Sequence, residues 1–338
     1  MKVKQPLALY ALLLQFVVGA SALFPIAPAV AGQLPSALAG PVLGFLFNSG
    51  TGKMQPLQGM LGNSTMGAPV EIGISISQVL PLGPRQAIAS AEESSEILML
   101  DMESSPVSVR AVPEAPARPS QAGASQHGSA AALYYAADRT VLVVTGLPLA
   151  PKVSRRVDLS ALGLPLTRIA ISDDGTVLAF AIAEDGQESL YGWTQDFSTR
   201  YLMSLDSIGG LTVRGDGNAI IVADRRANVV YAVWNARAST VRQLLATSHE
   251  GVSEPVGVAV SDRNEIYVAN IGSGTVTVLD SLGRVLREKR CNCEISGLAP
   301  LRDSLFRLTE RLDATIFLLD ASSGDDRILF VPPWRETK

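Results

Sequence analysis

The sequence predicts an all-β protein, a β-propeller of six or seven four-stranded blades preceded by a signal peptide, and three observations carry the fold. A unit of apolar strand, polar turn, β-rich strand, glycine turn, alternating strand and charged outer strand recurs along the chain. Corresponding first-strand residues Ile171, Val213, Val260 and Pro300 are offset by 42, 47 and 40 positions. Blades of four strands repeat with a period of roughly 40–47 residues. The 338 residues are 47% apolar and 18% charged, which supplies a large core, while 29 Gly and 20 Pro suit many short strands joined by turns. HEAT-type helical repeats share the period, but short strands separated by Asp-Gly turns do not build helices.

The N-terminus has the order of an export signal. Lys2 and Lys4 precede an apolar run over residues 7–20 that only Gln15 interrupts. The small-residue sites Ala20-Ser21-Ala22 and Ala29-Val30-Ala31 follow. Residues 1–31 therefore read as a signal peptide, cleaved after Ala22 or after Ala31. The run is short of the ~20 residues that span a bilayer, and Pro25 breaks an extension; an uncleaved anchor is the alternative. No later segment is long and apolar enough to cross, so a secreted or periplasmic chain without a transmembrane segment after signal removal is expected.

Residues 32–69 form an N-terminal segment in which 42–47 and 53–57 read as a hairpin that helps to close the ring. The repeats occupy residues 70–338. The first places strands at 70–76, 87–92, 97–101 and 107–112. The Pro/Ala/Ser-rich stretch 113–126 reads as a long surface loop replacing a clean first strand of the next unit. That unit continues at 129–138, 140–145 and 152–159. Strands at 166–171, 177–184 and 189–193 follow, then 209–213, 219–224 and 228–234. The clearest copy spans 255–260, 265–270, 275–280 and 285–289, and the last 296–301, 304–310, 315–320 and 327–331. Closure is required, because an open array exposes unpaired strand edges.

The run Ile266-Tyr267-Val268-Ala269-Asn270-Ile271-Gly272-Ser273-Gly274-Thr275-Val276-Thr277-Val278-Leu279-Asp280 resembles the blade motif of YVTN-type bacterial propellers. Pro255-Val256-Gly257-Val258-Ala259-Val260 is similar to the start of an NHL-type blade. The resemblance covers about residues 70–331 and implies a rigid disc with binding surfaces on its two faces, in binding proteins and a few hydrolases alike. Such motifs specify packing rather than chemistry.

In an up-and-down blade the loops before strand one and after strand two emerge on one face. Glu92, Asp138, Glu184, Asp224, Asn270 and Glu310 each end a second strand, and Glu254 and Glu294 precede first strands near the predicted channel. Glu254, Glu294, Asp224, Asn270, Glu184 and Glu310 are therefore the candidates for a binding face that takes a cation, a basic peptide or another polar ligand. The competing reading is that such residues cap their own turns. Asp173-Asp174-Gly175 and Gly215-Asp216-Gly217 offer too few oxygens for calcium, which needs six to eight, and read as turns.

Cys291 and Cys293 share one face if their segment is a strand. Thiols of structural meaning, free or bridged, a redox-labile pair, or two of a metal site's four ligands are the open readings. His127 and His249 stand in no ligand spacing. No G-x-S-x-G or H-E-x-x-H run occurs, and Gly50-Thr51-Gly52-Lys53 lacks phosphate-loop spacing. Lactonase-type propellers hydrolyse esters around a channel metal held by carboxylate and Asn ligands, yet the predicted channel stretches 169–171, 211–213 and 257–260 are almost wholly apolar. The expectation is a non-catalytic scaffold with no cofactor and no metal ligand, binding a protein or small polar ligand in the cell envelope; a metal-dependent lactonase-like hydrolase is the alternative. A net charge of −4 without a basic stripe argues against nucleic acid.

Overall fold

Runs of β-branched and apolar residues bounded by Asp, Asn and Gly turns fold here into successive antiparallel sheets, each strand paired with its neighbour in sequence. The computed structural model describes residues 41–302, 304–309 and 315–334. The signal-peptide expectation therefore lies outside the described residues. Seven sheets follow one another, numbered blades I to VII. Blade I holds β1 (Val42–Asn48), β2 (Lys53–Met60) and β3 (Asn63–Met66). Blade II holds β4 (Ile76–Pro81), β5 (Gln86–Ala91), β6 (Glu96–Asp101) and β7 (Ser108–Pro116); blade III holds β8 (Gln121–Ala124), β9 (Ala130–Tyr135), β10 (Thr140–Thr145) and β11 (Lys152–Asp158). Blade IV comprises β12 (Leu166–Ile171), β13 (Val177–Glu184), β14 (Gln187–Thr194) and β15 (Phe197–Leu205); blade V comprises β16 (Ile208–Val213), β17 (Ala219–Asp224), β18 (Val229–Trp234) and β19 (Val241–Ala246). Blade VI is β20 (Pro255–Val260), β21 (Ile266–Asn270), β22 (Thr275–Leu279) and β23 (Val285–Arg290), and blade VII is β24 (Ala299–Arg302), β25 (Leu305–Arg307), β26 (Ile316–Asp320) and β27 (Arg327–Val331).

The ring is closed by packing, with an apolar cluster at every blade boundary. Tyr134 and Val143 of blade III meet Phe180 and Ile182 of blade IV. Leu43, Leu46 and Leu57 of blade I interlock with Leu301, Ile316 and Leu318 of blade VII, joining the two ends of the ring. On its other side blade I packs Phe45 and Met54 against Ala87, Ala89 and Leu100 of blade II. Each fully buried side chain of Leu or Phe size stabilises by roughly 1.5–3 kcal/mol, so these seams hold the disc together.

Blade I differs from the other six. The start of β1 lies near Pro84, in the turn that follows the inner strand β4, while Gly52 after β1 lies against Ile76 at the start of β4. β1 thus runs opposite to the inner strands β4, β8, β12, β16, β20 and β24. Its sheet corresponds to strands two to four of the other blades, and among the described residues no strand pairs with its channel-side edge.

Two stretches depart from the sequence expectation. The first strand of blade II is Ile76–Pro81, not residues 70–76, because Val70 bridges back to Met54 of blade I and Gly73 turns the chain at φ +78°. The Pro-rich stretch 113–126 is not one loop. It completes β7, an outermost strand whose free edge tolerates Pro113 and Pro116, and then forms the inner strand β8. Gly123 is needed there: a Cβ would stand 2.5 Å from the Ile169 carbonyl oxygen of the next inner strand.

Candidate functional site

The loops before first strands and after second strands form the entry face; the turns between first and second strands form the exit face. On the entry face, two of the residues that end second strands tie their blades to the loops that feed them. Asp224 is buried, and its carboxylate accepts the N–H groups of Asp206 (2.6 Å), Ser207 (3.3 Å), Arg226 (3.1 Å) and Ala227 (3.1 Å). One blade on, the fully buried Asn270 accepts the Ser253 N–H at 3.0 Å and donates to Thr277 Oγ1 at 3.0 Å and the Val268 carbonyl at 3.3 Å. Unmade bonds at buried peptide groups cost about 1–3 kcal/mol each, which explains why an oxygen acceptor recurs at this position.

The remaining candidates are arranged differently. Glu254 is exposed with φ +43°; its backbone N–H donates to Asn228 Oδ1 at 2.6 Å and its carboxylate meets Arg225 at 3.3 Å. Glu184 and Glu294 are exposed, and Glu310 lies outside the described residues. Cys291 and Cys293 are bonded to each other, with Cα atoms 5.0 Å apart, and pack in the cluster of Tyr267, Phe306 and Leu319 between blades VI and VII. Among the described residues, no three His, Cys, Asp or Glu side chains are grouped to hold a metal ion. Asp224 and Asn270, with their oxygens committed to peptide groups, do not fit the carboxylate and amide ligand set of a channel metal.

The channel mouth on this face is a cavity of ≈ 270 Å³ bordered by Gly209, Gly210, Gly257 and Gly297, with the guanidinium-bearing residues Arg168 and Arg307 at its sides. The ladders of β12, β16 and β20 slip register at this rim, between Leu166 and Arg168, Ile208 and Gly210, and Pro255 and Gly257. Each slip is a bulge that releases one peptide from strand pairing.

The exit face carries an arrangement that the sequence did not disclose. The turn joining β8 to β9 projects His127 between two other blades. Its Nδ1 lies 2.6 Å from Asp173 Oδ2 of blade IV, and its Nε2 lies 2.9 Å from Asp262 Oδ1 of blade VI. The His127 backbone N–H donates to Asp173 Oδ1 at 2.9 Å, and the Gly215 N–H of blade V donates to Gln126 Oε1 at 2.9 Å. Gly215 leaves room for this contact, since a Cβ there would meet Asp173 Oδ2 at 2.1 Å. Burial alone would lower the pKa of His127, but hydrogen bonds and charges from Asp173 and Asp262 outweigh it and raise the imidazole above its ordinary 6.5. Partial burial would raise Asp173, yet the bonds from His127 and Ser125 hold it below the ordinary carboxylate value.

A discoverable signal existed: Gln126, Asp173, Gly215 and Asp262 each stand next but one after an inner strand. Superposing the turns as blades brings them together around the axis. Asp174, by contrast, caps its own turn through Ser172 and Thr176, as turn chemistry predicts.

No family model matches the chain, and a search of curated proteins finds no match. Among solved structures it is similar to a functionally unknown protein from Desulfotomaculum acetoxidans, with a TM-score of 0.56, 13% identity, and coverage of 86% of this chain and 100% of that one. It is also similar to a streptogramin B lyase, with a TM-score of 0.52, 12% identity, and coverage of 78% and 84%. These likenesses show the fold alone. The chain is a seven-bladed β-propeller. Neighbours of one fold, one of unknown function and one a lyase, leave the activity to be argued from this chain's own residues.

Proposed function

We propose that this propeller is exported and acts, without catalysis, as a scaffold that binds a protein or a small polar ligand on its entry face. The observation that carries the reading is the division of labour among its polar groups. Asp224 and Asn270, buried at strand ends, serve the backbone, while Glu254, Glu184 and Glu294 stand exposed on the entry face. A rigid disc holding such groups binds without a large ordering cost. The YVTN-like run over blade VI agrees with a scaffold role, and the export pattern at residues 1–31 agrees with a partner in the cell envelope.

The test uses the mature chain immobilised and exposed to the envelope fraction, with a Glu254→Ala/Glu294→Ala variant beside it. A partner retained by the wild type and lost by the variant supports the reading. Recovery of nothing by the wild type overturns it. Stoichiometric calcium or zinc in the purified protein, together with ester hydrolysis, would instead establish a metal-dependent lactonase-like hydrolase.

A further inference from the structure

We infer that His127 is a proton-operated clasp over the exit mouth of the channel, shut while its imidazole is protonated and released from blade VI when the proton leaves. This device belongs to the exit face and is independent of the binding role proposed for the entry face. In a ring of seven, blades III and VI stand three steps apart, as far as two blades can be. A side-chain contact between their turns therefore crosses the axis. His127, in the turn after β8, makes that contact, with Nε2 2.9 Å from Asp262 Oδ1 in the turn after β20. Beside it Gln126 accepts the Gly215 N–H of blade V at 2.9 Å, and the Asp173 N–H of blade IV donates to the Gly215 carbonyl at 3.0 Å. The turns of four consecutive blades are thus drawn together. What is left of the mouth is a cavity of ≈ 170 Å³ between His127, residues 81–84 of blade II and residues 300–302 of blade VII.

The bridge requires the proton. Both ring nitrogens face carboxylate oxygens, which only accept, and an imidazole carries N–H groups on both nitrogens only when it is protonated. After deprotonation one N–H remains. It stays with Asp173, whose contact is the shorter at 2.6 Å and whose other oxygen already takes the His127 backbone N–H at 2.9 Å. Nε2 then turns a lone pair toward the Asp262 carboxylate, and two acceptors stand face to face. Asp262 is 47% exposed and has no other hydrogen bond among the described residues, so it swings into water and blade VI is freed.

The other charges on these turns are committed elsewhere. Asp174 is held by Ser172, Thr176 and Arg237, Arg214 pairs with Asp216 at 2.9 Å, and Arg263 pairs with Glu265 at 2.9 Å. On the far side of the remaining opening Arg85 pairs with Glu103, and Arg302 has a partner of its own. His127 and its two carboxylates are therefore the titrating unit, and the raised imidazole pKa agrees with that assignment.

The experiment is NMR of the full chain labelled at histidine nitrogen and at backbone amides, with His249→Gln beside it to assign the two imidazoles. Below pH 6.5 both ring nitrogens of His127 should carry protons. As pH rises through the His127 midpoint, protection of the Gly215 amide, corrected for the intrinsic pH dependence of exchange, should fall about fivefold, the equivalent of one screened contact. In Asp262→Asn the side-chain amide can donate to the neutral Nε2, so the midpoint should drop and the fall in protection should vanish. In Asp262→Ala protection should sit at its low value at every pH. Asp262 is exposed in a turn, so both variants leave the core intact, and capture of a partner by the entry face should be the same in all of them. A ring protonated at one nitrogen only below pH 6.5, unchanged protection across the midpoint in the wild type, or the same fall in Asp262→Asn would overturn the inference.

Discussion

Replacing His127 with Gln should lower the melting temperature in one pH window and hardly alter it outside. The imidazole joins blades III, IV and VI through contacts of 2.6 and 2.9 Å with Asp173 and Asp262. Its side chain is 49% exposed, with Asp173 at 23% and Asp262 at 47%, so solvent screens both pairs. Such pairs contribute about 0–1 kcal/mol each, and the partly buried Asp173 places the sum near 1–2 kcal/mol. For a chain of this size that amounts to about 1.5–3 °C. Because folding raises the His127 pKa, its contribution is complete below the unfolded value of 6.5 and disappears as pH climbs through the folded value. Asp173 behaves in the opposite sense: its contribution is present above 3.8 and vanishes as pH drops through its lowered folded value. The neighbouring Ser125, Gln126 and Ser129 do not titrate in this range. Thermal melts of wild type and variant between pH 4 and 9 should therefore differ most from about 4 to 6.5 and converge above, consistent with the histidine's usual switching range. A difference that is flat with pH, or that widens as pH rises, would refute the clasp.

Four further predictions concern other groups. Arg287 bonds Glu265 at 2.8 Å and the fully buried Asp326 carboxylate at 2.6 Å across blades VI and VII, so Arg287→Met should cost about 3–5 kcal/mol in urea unfolding by stranding a buried charge. In the same network Arg287, with Arg263 and Tyr267, holds Glu265 at a pKa of about 2; stability from Glu265 is present above 4.5 and is lost as pH falls toward 2, and acid titration should show a smaller step in the Arg287 variant, where only Arg263 and Tyr267 remain. Asp224→Ala should destabilise by about 2–3 kcal/mol in thermal melts whereas Asp224→Asn should keep part of that, because Asn270 performs the same task one blade later. Thiol titration of the unfolded protein should find no free thiol before reduction and two after it, and reduction should cost roughly 1–2 kcal/mol, the small loop limiting the effect.

The legibility of the sequence differed along the ring for physical reasons. Blade VI was readable because Thr275–Leu279 alternates Thr and Val between Asn270 and Asp280, so period and punctuation agree. Blade I was legible only as a hairpin. Its third strand, β3, is four mostly polar residues without a β signal. The stretch 113–126 misled because proline content marks loops on average, yet an outermost strand with a free edge accepts proline. At the site, Glu184, Asp224 and Asn270 end second strands as the spacing suggests while Asp138 lies three residues past one, but the sequence could not say which oxygens face peptides. Burial decides that: Asp224 and Asn270 are enclosed, while Glu184, Glu254 and Glu294 are not. His127 was passed over because its partners stand 46 and 135 residues away, and only the circular arrangement makes them neighbours.

Closure of the ring through blade I is tested most directly by hydrogen exchange on a Leu57→Ala variant. Leu57 is fully buried in the seam with blade VII, and its truncation should cost about 2–5 kcal/mol. Amides of β24 to β27, at the far end of the chain, should then exchange faster, as should those of β4 to β7. Acceleration confined to β1, β2 and β3, with the last blade as protected as in wild type, would contradict a closed propeller.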